Sequence, residues 1–148
     1  MKLKNIFIVP LLLVVTNIFA QNSNSEINSK EGVRYITTAI NYPVAGIYNF
    51  KGGEPIVELN NNGTGFYQLH DQPKRAMTWG FECDKEGVLK FTKGYDSTEY
   101  IMYYKFTSAS ESGVEEEWNK VEFSIHFNSL KMFINGERVK SFIYKEEN

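Results

Sequence analysis

Two consecutive hairpin signals within residues 55–91 constrain this chain more than any other feature. Residues 55–69 read Pro-Ile-Val-Glu-Leu-Asn-Asn-Asn-Gly-Thr-Gly-Phe-Tyr-Gln-Leu, and residues 77–91 read Met-Thr-Trp-Gly-Phe-Glu-Cys-Asp-Lys-Glu-Gly-Val-Leu-Lys-Phe. A three-residue loop at Asn61-Asn62-Gly63, with Gly63 in the left-handed region, sets Asn60 opposite Thr64 and Val57 opposite Tyr67. Side chains alternate along a strand, so Val57, Leu59, Tyr67 and Leu69 then share one face. A two-residue Asn62-Gly63 turn would pair Val57 with Gln68 and split that set. In the second hairpin, a loop at Lys85-Glu86-Gly87 pairs Cys83 with Leu89 and Phe81 with Phe91. It also sets Glu82 against Lys90, opposite charges directly across a ladder.

The pattern continues on both sides. Residues 46–51 read as a first strand, turned by Gly52-Gly53-Glu54-Pro55. Along 76–83, Met77, Trp79, Phe81 and Cys83 lie on one face and Thr78, Gly80 and Glu82 on the other. Strand 98–107 is apolar on both faces, with Tyr100, Met102, Tyr104 and Phe106 on one side and Ile101 and Tyr103 on the other. Such a strand is covered on both sides. Along 118–127, Val121, Phe123, Ile125 and Phe127 alternate with Lys120, Glu122, Ser124 and His126. A turn at Asn128-Ser129 pairs Phe127 with Leu130, Ile125 with Met132 and Phe123 with Ile134. Asn135-Gly136 is the strongest short hairpin signal in the chain and returns it along 138–144. No stretch has helical spacing over three turns. The expected fold is all-β: an antiparallel up-and-down meander of about eight strands closed into a barrel, with 33–40 a possible extra strand.

The amino-terminal residues read differently. Lys2 and Lys4 precede an apolar run over 6–15, and Ile18-Phe19-Ala20 offers a cleavage site before Gln21. Residues 1–20 are expected to be a secretory signal peptide, the apolar run being too short to span a bilayer. The mature protein is then secreted or periplasmic, with no stable membrane anchor. Residues 21–45 are expected to form a flexible segment whose Asn/Ser/Glu-rich part, 21–32, is a disordered spacer. The barrel domain covers 46–144, with an exposed acidic loop over 108–117. Without Lys2 and Lys4, 14 basic residues face 18 acidic ones, a net charge of −4 that argues against nucleic acid as a partner. Cys83 is the single cysteine, so no internal disulfide forms and an aromatic-rich core must hold the domain.

Three features resemble the lipocalin-like small barrels of secreted bacterial proteins. Gly46-Ile47-Tyr48 opens the first strand as the family's Gly-x-Trp does, with tyrosine in place of tryptophan. The Leu59 strand end followed by Gly63-Thr64, with Trp79 on the next strand, is similar to the turn usual in these domains. Thr98-Glu99-Tyr100 sits at a strand start like the family's Thr-Asp-Tyr. The resemblance spans roughly 46–144 and implies a small apolar molecule bound inside the barrel, without catalysis.

Candidate chemistry is sparse. His70-Asp71 is the one adjacent His/Asp pair, and no nucleophile-elbow motif accompanies it. His126 is expected to face outward beside Ser124 and across from Lys131. Two distant histidines and one cysteine have no zinc spacing, so neither a metal site nor a cofactor is expected. Glu115-Glu116-Glu117 reads as a solvated acidic loop, Asn62-Gly63-Thr64 as a turn as well as a glycosylation sequon, and Cys83 as a buried thiol. The expected ligand-lining set is Met77, Trp79, Phe81, Tyr100, Met102 and Tyr104, with tyrosine hydroxyls supplying polar contacts. A second reading is a filled barrel that binds another protein, as an inhibitor, immunity or envelope-assembly factor. Phe66, Tyr103, Phe133 or the 108–117 loop would then make contact.

Overall fold

The computed structural model describes residues 24–109, 113 and 117–145; the leader expected over 1–20 lies outside them. The described residues form strands and no helix: β1 (Asn24–Ser29), β2 (Gly32–Thr37), β3 (Gly46–Phe50), β4 (Ile56–Leu59), β5 (Thr64–Gln68), β6 (Arg75–Cys83), β7 (Phe91–Lys93), β8 (Ser97–Phe106), β9 (Asn119–His126), β10 (Lys131–Ile134) and β11 (Glu137–Tyr144). The barrel runs β3-β4-β5-β6-β8-β9-β10-β11, every neighbouring pair antiparallel, and β11 closes on β3. This is the expected eight-stranded meander, consistent with a lipocalin-like barrel. Two additions lie outside it: the β1–β2 hairpin pairs with β6, and β7 pairs with β8.

The registers follow from alternation. Val57 pairs with Tyr67, and the Asn60 amide donates to the Thr64 carbonyl at 2.9 Å, with Gly63 at φ 80°. Ile125 pairs with Met132 and Phe123 with Ile134. Asn135 and Gly136 take φ of 51° and 77°, the type I′ geometry that suits a twisted two-residue hairpin. Inward residues of all eight strands form one core, including Tyr48, Val57, Leu59, Phe81, Phe123 and Ile125. Fully burying each of the larger side chains is worth about 1.5–3 kcal/mol.

Four expectations need correction. Residues 24–32, expected as a disordered spacer, are β1 and the turn into β2. One apolar anchor suffices there: Ile27 is buried with Ile36 and Tyr103 against the outer barrel wall. Cross-strand polar contacts add to it, the Tyr35 hydroxyl donating to Glu26 at 3.0 Å. Phe91 pairs with Tyr100 rather than Phe81, because the second hairpin unzips after Cys83–Leu89 and the chain crosses to β8. The Glu82–Lys90 ion pair survives at 3.2 Å. Leu69 and Phe127 lie past their strand ends and are exposed. Tyr103, expected on a protein-binding face, is covered by the β1–β2 hairpin.

Candidate functional site

All six expected lining residues face the barrel interior, and none is more than 8% exposed. Strands β6 and β8 bring them together by pairing Met77 with Phe106, Trp79 with Tyr104 and Phe81 with Met102. The space among them is closely packed with side chains. Ring centroids lie 5.6 Å apart for Trp79–Phe81, 5.5 Å for Phe81–Tyr100, 5.2 Å for Phe81–Phe123 and 5.0 Å for Tyr67–Tyr104. The Trp79 indole N–H is also held, donating to the Thr64 carbonyl at 2.8 Å. An eight-stranded barrel is only just wide enough for its own side chains, and large aromatics take up that width. Burial keeps the hydroxyls neutral: it pushes Tyr67 up to about 12 and raises Tyr100.

The concave surface lies where β6 and β8 part. Toward the end of the barrel that carries the 127–130 turn, their pairing stops at Phe81–Met102. Beyond that point Leu89 bridges to Cys83 on one side, and β7 takes the freed edge of β8 on the other. Residues 38–45 cross this end of the barrel, held by buried Val44 and by the Tyr48 hydroxyl, which donates to the Val44 carbonyl. Between the crossing segment and the 87–91 connection lies a cleft of about 570 Å³. Ile40, Tyr42, Leu89, Phe91, Tyr100 and Phe127 are among its walls. Its rim is strongly apolar for a surface: Val88 is 61% exposed, Phe91 57% and Phe127 42%. Tyr42 meets Phe127 edge-on at 5.6 Å, so the two sides of the mouth touch.

Of the six expected residues, Tyr100 lines this cleft. It touches Phe91 at 5.9 Å and Phe81 at 5.5 Å, joining the mouth to the core ring by ring. The crossing segment and Phe91 were not expected at the site. Their signal was present in Ile40 and Tyr42 beside Pro43, but a turn before the first strand reads the same way.

The titratable candidates sit elsewhere. His70 is on the surface, its Nε2 2.8 Å from Glu137. The Asp71 amide donates to Glu54 at 3.2 Å. The His126 Nδ1 lies 3.8 Å from Asp96 on the outer wall. Cys83 is buried, which raises its thiol pKa. The Asn62 Oδ1 accepts from the Thr64 amide at 3.0 Å and its hydroxyl at 2.7 Å, the work of a turn residue. Glu117 pairs with Lys30 at 2.6 Å, while Glu115 and Glu116 lie outside the described residues. Among the described residues, no three His, Cys, Asp or Glu side chains are grouped to hold a metal, and no helix is long and apolar enough to cross a membrane.

The fold and cleft together define a closed up-and-down β-barrel with an apolar mouth. Compared with protein-family models, curated proteins and solved structures, the chain matches none.

Proposed function

We propose that this is an exported, non-enzymatic binding protein that takes a small, mainly apolar molecule at the barrel mouth rather than deep in the interior. The observation that carries the reading is the cleft of about 570 Å³ over Tyr100. Its size falls within the range of about 300–1,000 Å³ typical of small-molecule sites, and its walls join apolar side chains to two tyrosines, Tyr42 and Tyr100. Exposed Phe91 and Phe127 are costly to leave in water, and a ligand seated between them would relieve that cost. A carboxylate or hydroxyl on the ligand would remain at the open rim.

Laurate titrated into the protein tests this through tryptophan fluorescence. Trp79 is two ring contacts from the cleft, through Phe81 and Tyr100. A saturable change is expected, weakened in Phe91→Ser and Phe127→Ser, whose side chains lie outside the core. The absence of saturation with laurate and with a hydrophobic dye would overturn the reading. The filled barrel would then favour a protein partner.

A further inference from the structure

A second concavity lies between the β1–β2 hairpin and the barrel. Its volume is about 450 Å³. Separate stretches build it: the hairpin contributes Ser25 and Glu26, the start of the crossing segment Thr38, the β4–β5 turn Asn61, β6 Thr78, and the residue before β9 is Trp118. Its chemistry differs from that of the mouth. Hydroxyls, amides and a single carboxylate dominate its polar side, and no Lys, Arg or His lines it. Lys105 stands beside it, opposite Thr78 on β8 with its Nζ 5.5 Å from the Trp118 ring centroid, and the Glu26 carboxylate balances that charge; a purely apolar ligand would strand the polar groups without partners.

Those groups are also uncommitted. Among the described residues, no protein group hydrogen-bonds the side chains of Ser25, Thr38, Asn61 or Thr78. Glu26 uses only Oε2, which accepts from Tyr35. Water fills these valences in the free protein, and a ligand that reproduces the same bonds displaces it at little enthalpic cost. Trp118 supplies the complementary feature. It is half-buried, packs against the Ile27–Ile36–Tyr103 cluster and forms a wall of the cleft. An indole beside unpaired hydroxyls and amides suits a molecule with an apolar C–H face and a rim of hydroxyl groups.

We infer that this outer cleft binds a neutral saccharide, with Trp118 against a pyranose face and Ser25, Glu26, Thr38, Asn61 and Thr78 hydrogen-bonding its hydroxyls. The inference stands apart from the apolar mouth, since Tyr100, Phe91 and Phe127 take no part in it. It also gives the β1–β2 hairpin a task, because the barrel alone supplies only one wall.

The test is two-dimensional amide NMR with the methyl glycosides of glucose, galactose, mannose and N-acetylglucosamine, and with cellobiose and chitobiose. At least one sugar should give saturable shifts confined to residues 25–26, 37–38, 61–63, 78 and 118. Thr78→Val and Asn61→Ala should each weaken that binding about three- to tenfold, the net worth of one hydrogen bond. Both side chains lie outside the core, so the fold survives them. Trp118→Phe should weaken it further, and Phe91→Ser should leave it unchanged. No saturation with any of the six sugars at about 10 mM, affinities too weak to matter on the usual scale, would overturn the inference. Shifts centred on the mouth, or binding indifferent to Thr78→Val and Asn61→Ala, would do the same.

Discussion

Gly80 lies directly beneath Ile36: a Cβ built on Gly80 would stand 3.0 Å from the Ile36 Cβ. That contact seats the β1–β2 hairpin on the outer wall, where Ile27, Ile36 and Tyr103 make a small core of their own. Gly80→Val should therefore lift the hairpin while leaving the barrel closed. Amide exchange would show it as lost protection across β1 and β2 with that of β9 retained. Unchanged protection in β2 would mean that Ile36 shifts aside cheaply.

Inward and outward residues of β9 should separate by stability. Phe123→Ala and Ile125→Ala remove fully buried side chains and should each cost about 2–5 kcal/mol. His126 is on the outer face, ring to ring with Phe133 at 5.0 Å and 3.8 Å from Asp96. His126→Ala should cost less than about 1 kcal/mol. Denaturant unfolding of the three variants measures this, and similar costs for Ile125 and His126 would contradict the assigned faces.

The β10–β11 turn places Asn135 and Gly136 in the left-handed region, at φ 51° and 77°. Gly136→Ala should destabilise the protein by about 1–2 kcal/mol, the cost of that conformation for a residue with a Cβ. Nothing lies within 4 Å of the added methyl, so backbone strain alone is read out. A thermal melt with no change would argue against the two-residue turn.

Stability should carry a pH signature from His70. Its hydrogen bond to Glu137 raises its pKa above the ordinary 6.5, aided by the charges of Glu137, Glu54 and Asp71. A raised folded pKa stabilises the protein fully below 6.5, and that contribution disappears as pH rises through the raised value. The melting temperatures of wild type and Glu137→Gln should differ at about pH 5.5 and converge by about pH 9. The gap will be small because the pair is exposed. A gap that widened with rising pH would exclude this pairing as its origin.

Much of the architecture was legible because β-structure writes its faces locally. Val57 opposite Tyr67 and Ile125 opposite Met132 follow from alternation plus one turn residue. The covered back of β8 was legible too, since Ile101 and Tyr103 are apolar where a solvated strand would not be. What covers that back was not legible. The β1–β2 hairpin rests on few apolar side chains, and the surrounding Asn, Ser and Glu residues carry the composition of a spacer. Phe91 went astray for a related reason: its choice between Phe81 and Tyr100 depends on where β6 and β8 diverge, a property of the closed barrel. The same divergence moves the candidate site. Tyr100 lines the cleft, but whether six large inward side chains surround a void or fill it is decided by volume in three dimensions.

The barrel's seam sets β3 against β11, with Ile47 beside Ile143. Every other join in the wall links barrel strands that follow one another in the chain. This one waits for the last barrel strand to be synthesised. Bringing it home demands closure of a long loop, an entropic toll that local hairpins escape. Until it arrives, β3 offers a bare edge to any passing strand, including one from another nascent chain. The interval before β11 docks is thus where this protein is most exposed to misassembly, however stable the finished barrel becomes.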